Sequence, residues 1–347
     1  MFEAVVMLCL NLAEGPCRTH LIPGYEAETA QGCARFLAQS PPDLARFAPL
    51  SAKSEPLCQP VGQTLDVVEV APGVFVHVGA VEEPDRTNLG DVSTLGFVVG
   101  AEAVALIDTG SAAWMGEAIW RTIRAQTDLP ISHVVITHMH PDHALGGSVL
   151  ADAGAQIVGH AGLDRALADR RENYLESLNR LIGPGAFLGT KVAPVDIAVI
   201  DSLLIDLGGR TLDLRAWPLA HTGTDVTVFD PETGTLFAGD LVFHRHIPAL
   251  DGKLTGWRAV LSEMQGLAVS RVVPGHGGPV LDWPAGGADM QRYLGTLETD
   301  TRAAIDAGLR LGAAVEVIAT SEVDQWELFE AFNARNATVA FTELEWD

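Results

Sequence analysis

The chain has 347 residues, 48% hydrophobic and 19% charged, enough apolar material for one large core or two. Its 22 Lys and Arg stand against 45 Asp and Glu, a net charge of −23 with no basic cluster to offset it, which argues against nucleic acid as a partner. There is no fixed-period repeat, no low-complexity tract, and no segment of the ~20 apolar residues that a membrane span needs.

Residues 1–50 read as helical and turn-rich, with AETAQGCARFLAQSPPDLARFAP the clearest amphipathic stretch. The start, MFEAVVMLCLNLAEG, has an apolar run from Ala4 to Leu10, but no basic residues ahead of it and an acidic Glu3. It reads as an altered secretion signal, a first strand or a first helix. Polar Ser51 to Gln63 reads as a linker, which divides the chain into a small module over 1–62 and a larger domain over 63–347. All four cysteines, Cys9, Cys17, Cys33 and Cys58, fall in the first 58 residues. Even number and confinement point to two disulfides in one of three connectivities, with four reduced thiols as the plain alternative. The absence of a C-x₂-C pair argues against a zinc knuckle. Disulfides would place the protein in an oxidising compartment, the periplasm rather than the cytoplasm.

Beyond residue 63 the texture becomes alternating β. LDVVEVAPGVFVHVGA breaks at Pro72-Gly73 like a hairpin, and TLGFVVGAEAVALIDTG turns at Gly100. AAWMGEAIWRTIRAQT has helical spacing; the strand ISHVVITH follows, then a helix after His143, the strand AQIVGH and a helix-rich insert, LDRALADRRENYLESLNRLI. That insert, Leu163 to Lys191, is placed to cap a site, with Tyr174 and Phe187 either facing it or in the core. Strands LLIDLGGRTLDLRAWPL, DVTVFDPETGTLFAGD and SRVVPGHG come next, before a helix over ADMQRYLGTLETDTRAAIDAGLRL and another over Val315 to Phe332. Strand runs separated by helices predict a layered α/β domain.

Chemistry concentrates at THMHPDH. His138 and His140 are two apart past a strand, so extended backbone aims both the same way, and Asp142 and His143 follow at the turn into a helix. Imidazole and carboxylate in that density are what a zinc-like ion binds. His221 in AHTGTD, Asp240 in FAGD and His276 in PGHG repeat the same strand-to-loop position. His77, His133 and His160 read as strand histidines with structural roles. His244, Arg245 and His246 follow Asp240 closely and are candidate substrate contacts.

In these ordered motifs, with IDTG at Ile107 to Gly110, residues 64–347 resemble the metallo-β-lactamase fold metallohydrolases. The resemblance implies a four-layer αββα sandwich carrying a cysteine-bearing N-terminal extension. It implies two zinc ions, with iron or manganese as alternatives. His138, His140 and His221 would bind one ion, Asp142, His143 and His276 the other, with Asp240 bridging and Asp108 structural. A bridging hydroxide would attack the carbonyl of an ester, thioester, lactone or amide, with Asp142 orienting it and shuttling a proton. Histidine at position 140 speaks against the family's iron oxygen reductases; the mononuclear-iron persulfide dioxygenases share the motif and stay open. The subfamily most similar is the quinoprotein relay system zinc metallohydrolases, relatives of SoxH-like proteins. It implies a periplasmic setting and a quinoprotein dehydrogenase system as partner; a non-catalytic quinone-handling module is the remaining alternative.

Overall fold

A computed structural model describes residues 1–11 and 15–346. The first sheet is antiparallel: β1 (Phe2–Cys9) lies between β2 (Cys17–Ala27) on one side and β3 (Ser51–Ala52) and β4 (Leu57–Pro60) on the other. Helix α1 (Ala30–Gln39) starts where the Thr29 hydroxyl accepts the Gly32 N–H, and lays Cys33 against Ala4, Val6 and Leu8.

Two expectations are corrected here. Residues 1–50 open with two strands, while the amphipathic stretch after them is helical as expected, in α1 and a short helical turn over Leu44–Phe47; the Ser51–Gln63 linker contains two further strands. The cause is that FEAVVMLC is buried on both faces, Val5 and Val6 alike, so it lacks the alternation that marks a half-buried strand. The apolar start is thus strand from Phe2 to Cys9, while Leu12 to Glu14 lie outside the described residues. Cys9 and Cys17 sit opposite each other in the hairpin and are bonded; Cys33 and Cys58 join α1 to β4. A thiol titration of unreduced protein should return no free thiol, and reduction should release all four.

The rest is a four-layer αββα sandwich. The seven-stranded sheet runs in order β11 (Ile197–Val199), β10 (Gln156–His160), β9 (Ile131–Ile136), β8 (Val104–Ile107), β7 (Thr94–Val99), β6 (Val74–Val78), β5 (Val68–Ala71). Strands β8 to β11 are parallel, so each step needs a crossover helix. Helix α2 (Ala113–Gln126), then α3 (Pro141–Ala144) with α4 (Gly147–Asp152), then α5 (Leu163–Ile182) with α6 (Pro184–Phe187) supply the three. The six-stranded sheet runs β12 (Ser202–Asp206), β13 (Thr211–Ala216), β14 (Val226–Asp230), β15 (Thr235–Phe243), β16 (Arg271–His276), β17 (Leu281–Asp282), with α7 (Leu254–Gln265) crossing between β15 and β16.

Val76, Val98 and Val135 of one sheet meet Leu212, Val228 and Phe237 of the other in the inner core. Outside, α2 packs Met115, Ile119 and Ile123 onto the first of these sheets. Helices α7, α8 (Ala288–Asp306) and α10 (Phe329–Leu344) cover the second, with short α9 (Leu311–Val315) between the last two. The helix expected over Val315 to Phe332 is corrected as well. Ala319 and Leu328 take left-handed backbone, a short 3-10 helix spans Thr320–Gln325 between them, and α10 begins only at Phe329. Burial of Ile318 and Ala319, with Asn333 donating to the Ile318 carbonyl, holds that break. Among the described residues no helix is long and apolar enough to cross a membrane.

Two buried ion pairs fasten the N-terminal sheet to α2. Arg18 forks onto Glu117 at 2.8 and 2.9 Å, and Arg121 forks onto Glu3 at 2.7 and 3.0 Å. Both carboxylates are buried.

Candidate metal centre

The seven expected donors come together from strands, loops and a helix start at one edge of the sandwich. His138 and His140 follow β9, Asp142 and His143 open α3, and His221 lies in the β13–β14 loop. Asp240 is inside β15, and His276 ends β16. Glycine permits the last approach: a Cβ on Gly275 would stand 2.0 Å from Asp240 Oδ1. Asp108, just past β8, adopts φ 60°, a region that aspartate tolerates better than most side chains.

These side chains form two groups of donors, His138, His140, His221 and Asp240 in one and Asp142, His143 and His276 in the other, each within 4.8 Å. In the first, His221 Nε2 is 3.0 Å from His140 Nδ1 and 3.4 Å from Asp240 Oδ2, with His138 Nε2 3.6 Å from that oxygen. In the second, His276 Nε2 is 3.4 Å from Asp142 Oδ2 and 3.5 Å from His143 Nε2. Asp240 reaches this group too, at 3.2 Å from His143 and 3.4 Å from His276. Donors at about 2.0–2.1 Å from one tetrahedral ion stand about 3.3–3.4 Å apart, so these separations suit two ions sharing Asp240. His138 Nε2 and Asp240 Oδ1 are buried without a hydrogen-bond partner, the state of an atom reserved for something other than a protein donor.

Electrostatics agree. Burial disfavours the charge on Asp240, but His276, His143 and His138 outweigh it and hold the carboxyl well below its usual range. Burial likewise opposes charge on His276, yet Asp240 and Asp142 raise it to about 9, and His143 is raised well above normal by Asp240, Asp108 and Asp142. Burial pushes His138 down strongly and His221 to about 3. The cluster therefore carries negative charge that protons on His143 and His276 offset, and a divalent cation would displace them.

Outer partners orient the rings. Asp108 Oδ2 accepts from His143 Nδ1 at 2.8 Å and from the Thr137 hydroxyl at 2.8 Å; the Val92 carbonyl accepts from His276 Nδ1 at 2.9 Å. His140 Nε2 is 3.2 Å from Asp251 Oδ2, which also accepts from Arg170 at 2.6 Å. Asp251 and Arg170 escaped the sequence reading because they lie 111 and 30 residues from His140, on a loop and in a charge-rich helix without a motif. The Asp251→Asn variant should weaken metal binding by about 10–100-fold in a competition titration with a chelating dye. His133→Ala should leave metal content unchanged: that ring lies in β9 against Ser132.

A cavity of about 370 Å³ opens over Asp142, Asp240 and His276, walled by Arg170 and Tyr174 of α5 and by Phe332 and Arg335 of α10. Of the three candidate substrate contacts, His246 lines it. Arg245 turns away to Glu327 at 2.7 Å, and His244 stands outside the lining. Tyr174 faces the cavity, while Phe187 packs in a core cluster with Leu145 and Leu178. His77 is held between the Asp66 carbonyl and Asp91, and His160 receives the Gly162 N–H, so both are structural.

The sequence model of the Metallo-beta-lactamase superfamily matches residues 89–276, more than half of the chain and every donor above. The chain belongs to the metallo-beta-lactamase superfamily. It is 26% identical over 201 residues to the beta-lactamase-like protein 2 homolog of Caenorhabditis elegans, covering 57% of this chain and 60% of that protein. It is 30% identical over 114 residues to the hydroxyacylglutathione hydrolase of Erythrobacter litoralis (strain HTCC2594), covering 33% of this chain and 35% of that one. The metallo-beta-lactamase from Pontibacter korlensis shares the fold at a TM-score of 0.54 and 21% identity, over 67% of this chain and 99% of its own. The chain thus spans less than two thirds of either curated relative.

Proposed function

We propose that this superfamily member is a metal-dependent hydrolase of a small molecule carrying an ester, thioester, lactone or amide carbonyl. The observation that carries it is the pair of donor groups joined through Asp240 at the floor of the cavity. The relative named as a hydroxyacylglutathione hydrolase supports hydrolysis. Nitrogen and carboxylate donors without a thiolate suit zinc, and also iron or manganese. Ions bound there would supply an activated water and polarise the carbonyl.

The chain's own groups do the rest. Asp142 lines the cavity, where it orients the attacking water, takes its proton and passes it to the leaving group. Tyr174 Oη accepts a long hydrogen bond from Arg170 at 3.5 Å, and burial raises its pKa, so its own proton is kept for a substrate oxygen. His246 gives Nδ1–H to the Ile247 carbonyl at 2.5 Å, and burial holds it near about 4, which makes Nε2 a neutral acceptor for a substrate donor. Apolar Phe243, Leu250 and Phe332 exclude water around them.

The finer identity, a zinc enzyme of the periplasm serving a quinoprotein dehydrogenase, is also proposed. The two disulfides support an oxidising compartment. Metal quantification with an ester, thioester, lactone and β-lactam panel tests the whole reading, and about two zinc ions per chain with turnover is expected. One iron per chain with persulfide oxidation would replace it by the dioxygenase reading. Metal-loaded protein that hydrolyses nothing yet binds a quinoprotein would replace it by the binding module.

A further inference from the structure

A second cavity, about 430 Å³, lies between the N-terminal sheet and the sandwich. Leu21 and Phe47 form its wall on one side, Val149 and Phe187 on the other, an apolar interior of the size that takes a small organic molecule. Arg46, Arg171 and Lys191 reach the same walls, a local excess of cations in a chain where acids outnumber bases 45 to 22. The two carboxylates in the lining are already engaged, Glu117 by Arg18 and Asp152 by Lys191 at 3.0 Å.

Unused donors gather here. Arg46 gives one N–H to the Asp152 carbonyl oxygen, but its Nε and Nη2 are buried with no hydrogen-bond partner. His20 is 2% exposed, and its Nε2 is also unpartnered. Its Nδ1 lies 2.9 Å from Arg18 Nη2, which can only donate, against 3.2 Å to Glu117. Nδ1 is therefore the acceptor and Nε2 carries the proton. The Phe47 ring lies near both groups, 6.1 Å from the ring of His20 and 5.0 Å from Arg46 Cζ. Buried donors left without acceptors cost free energy unless something supplies them.

We propose that this cavity is a binding site for an anionic amphiphile, an alkyl or aryl carboxylate whose body fills the apolar space and whose oxygens take the free donors of Arg46 and His20. The site is distinct from the metal centre, although α5 contributes to both cavities: Arg170 and Tyr174 to one, Arg171 and Asn179 to the other.

Calorimetric titration of the full metal-loaded chain with decanoate, decanol and decylamine, each below its aggregation threshold, tests this. Decanoate should saturate a single site and bind about tenfold or more tighter than decanol, with decylamine weakest. Arg46→Ala should bring decanoate down to the affinity of decanol while decanol itself is unchanged, which shows the cavity still formed. A carboxylate could instead sit on a metal ion, so His140→Ala is titrated in parallel and must retain decanoate. Loss of binding in His140→Ala but not in Arg46→Ala overturns the proposal, as do equal affinities for the three probes or no saturable binding of decanoate. If Arg46→Ala does not fold, Arg46→Gln, which removes the charge but keeps a donor, is held to the same criteria.

Discussion

Asp240→Ala is expected to strip both donor groups at once. The Asp240 carboxylate touches His138 and His221 on one side and His143 and His276 on the other, so each group loses a shared oxygen. Bound metal should fall from about two ions per chain to below about one, and turnover by more than the about 10–100-fold that loss of an outer partner costs. The fold should survive. His143 and His276 owe their raised basicity to Asp240 together with Asp142 and Asp108, and can shed protons when it goes. Circular dichroism of wild-type shape alongside unchanged metal content would remove Asp240 from the ligand set and, with it, the shared-carboxylate reading. The contrast with Asp251→Asn is informative. Asp251 acts through His140 alone and is partly open to solvent, so its effect should be graded rather than complete.

The donors were legible because they lie at or near the ends of apolar strands, at the edge of a layered fold where binding groups gather. THMHPDH, AHTGTD, FAGD and PGHG carry that grammar in the open, and the glycine before His276 has a steric reason in the contact of Gly275 with Asp240. The supporting groups were not legible. Asp251 meets His140 across 111 residues, and the nearest sequence neighbours of either say nothing about the other. The N-terminal strands failed for another cause: FEAVVMLC is buried on both faces, and continuous burial erases the periodicity that separates strand from helix. Its cysteines marked a cross-linked region, while their pairing needed the hairpin register that puts Cys9 opposite Cys17. At the C-terminal end the left-handed turns at Ala319 and Leu328 fall on residues with no sequence preference for that conformation.

Arg18→Ala should be strongly destabilising although it lies outside the metal centre. It leaves Glu117, 2% exposed, without the guanidinium that forks onto it from β2. Breaking a buried pair from one side costs about 3–5 kcal/mol; Glu117 would keep only Arg121 as a cationic partner, at 4.0 Å, and little water. Burial alone would raise the Glu117 carboxyl; the Arg18 guanidinium outweighs it and brings it down to about 2. A depressed carboxylate contributes stability that is complete above its unfolded value and disappears as pH falls through the folded one. In the wild type that window runs from about pH 4.5 to about 2, over which about 3 kcal/mol should be lost. Urea denaturation of the two proteins at pH 7 and at successively lower pH measures both effects. The variant should start less stable and lose less across the window, since Glu117 then has little depressed ionisation to give up. Parallel curves for the two proteins would mean that the Arg18–Glu117 contact does not hold the N-terminal sheet on α2, leaving Glu3 and Arg121 to do so.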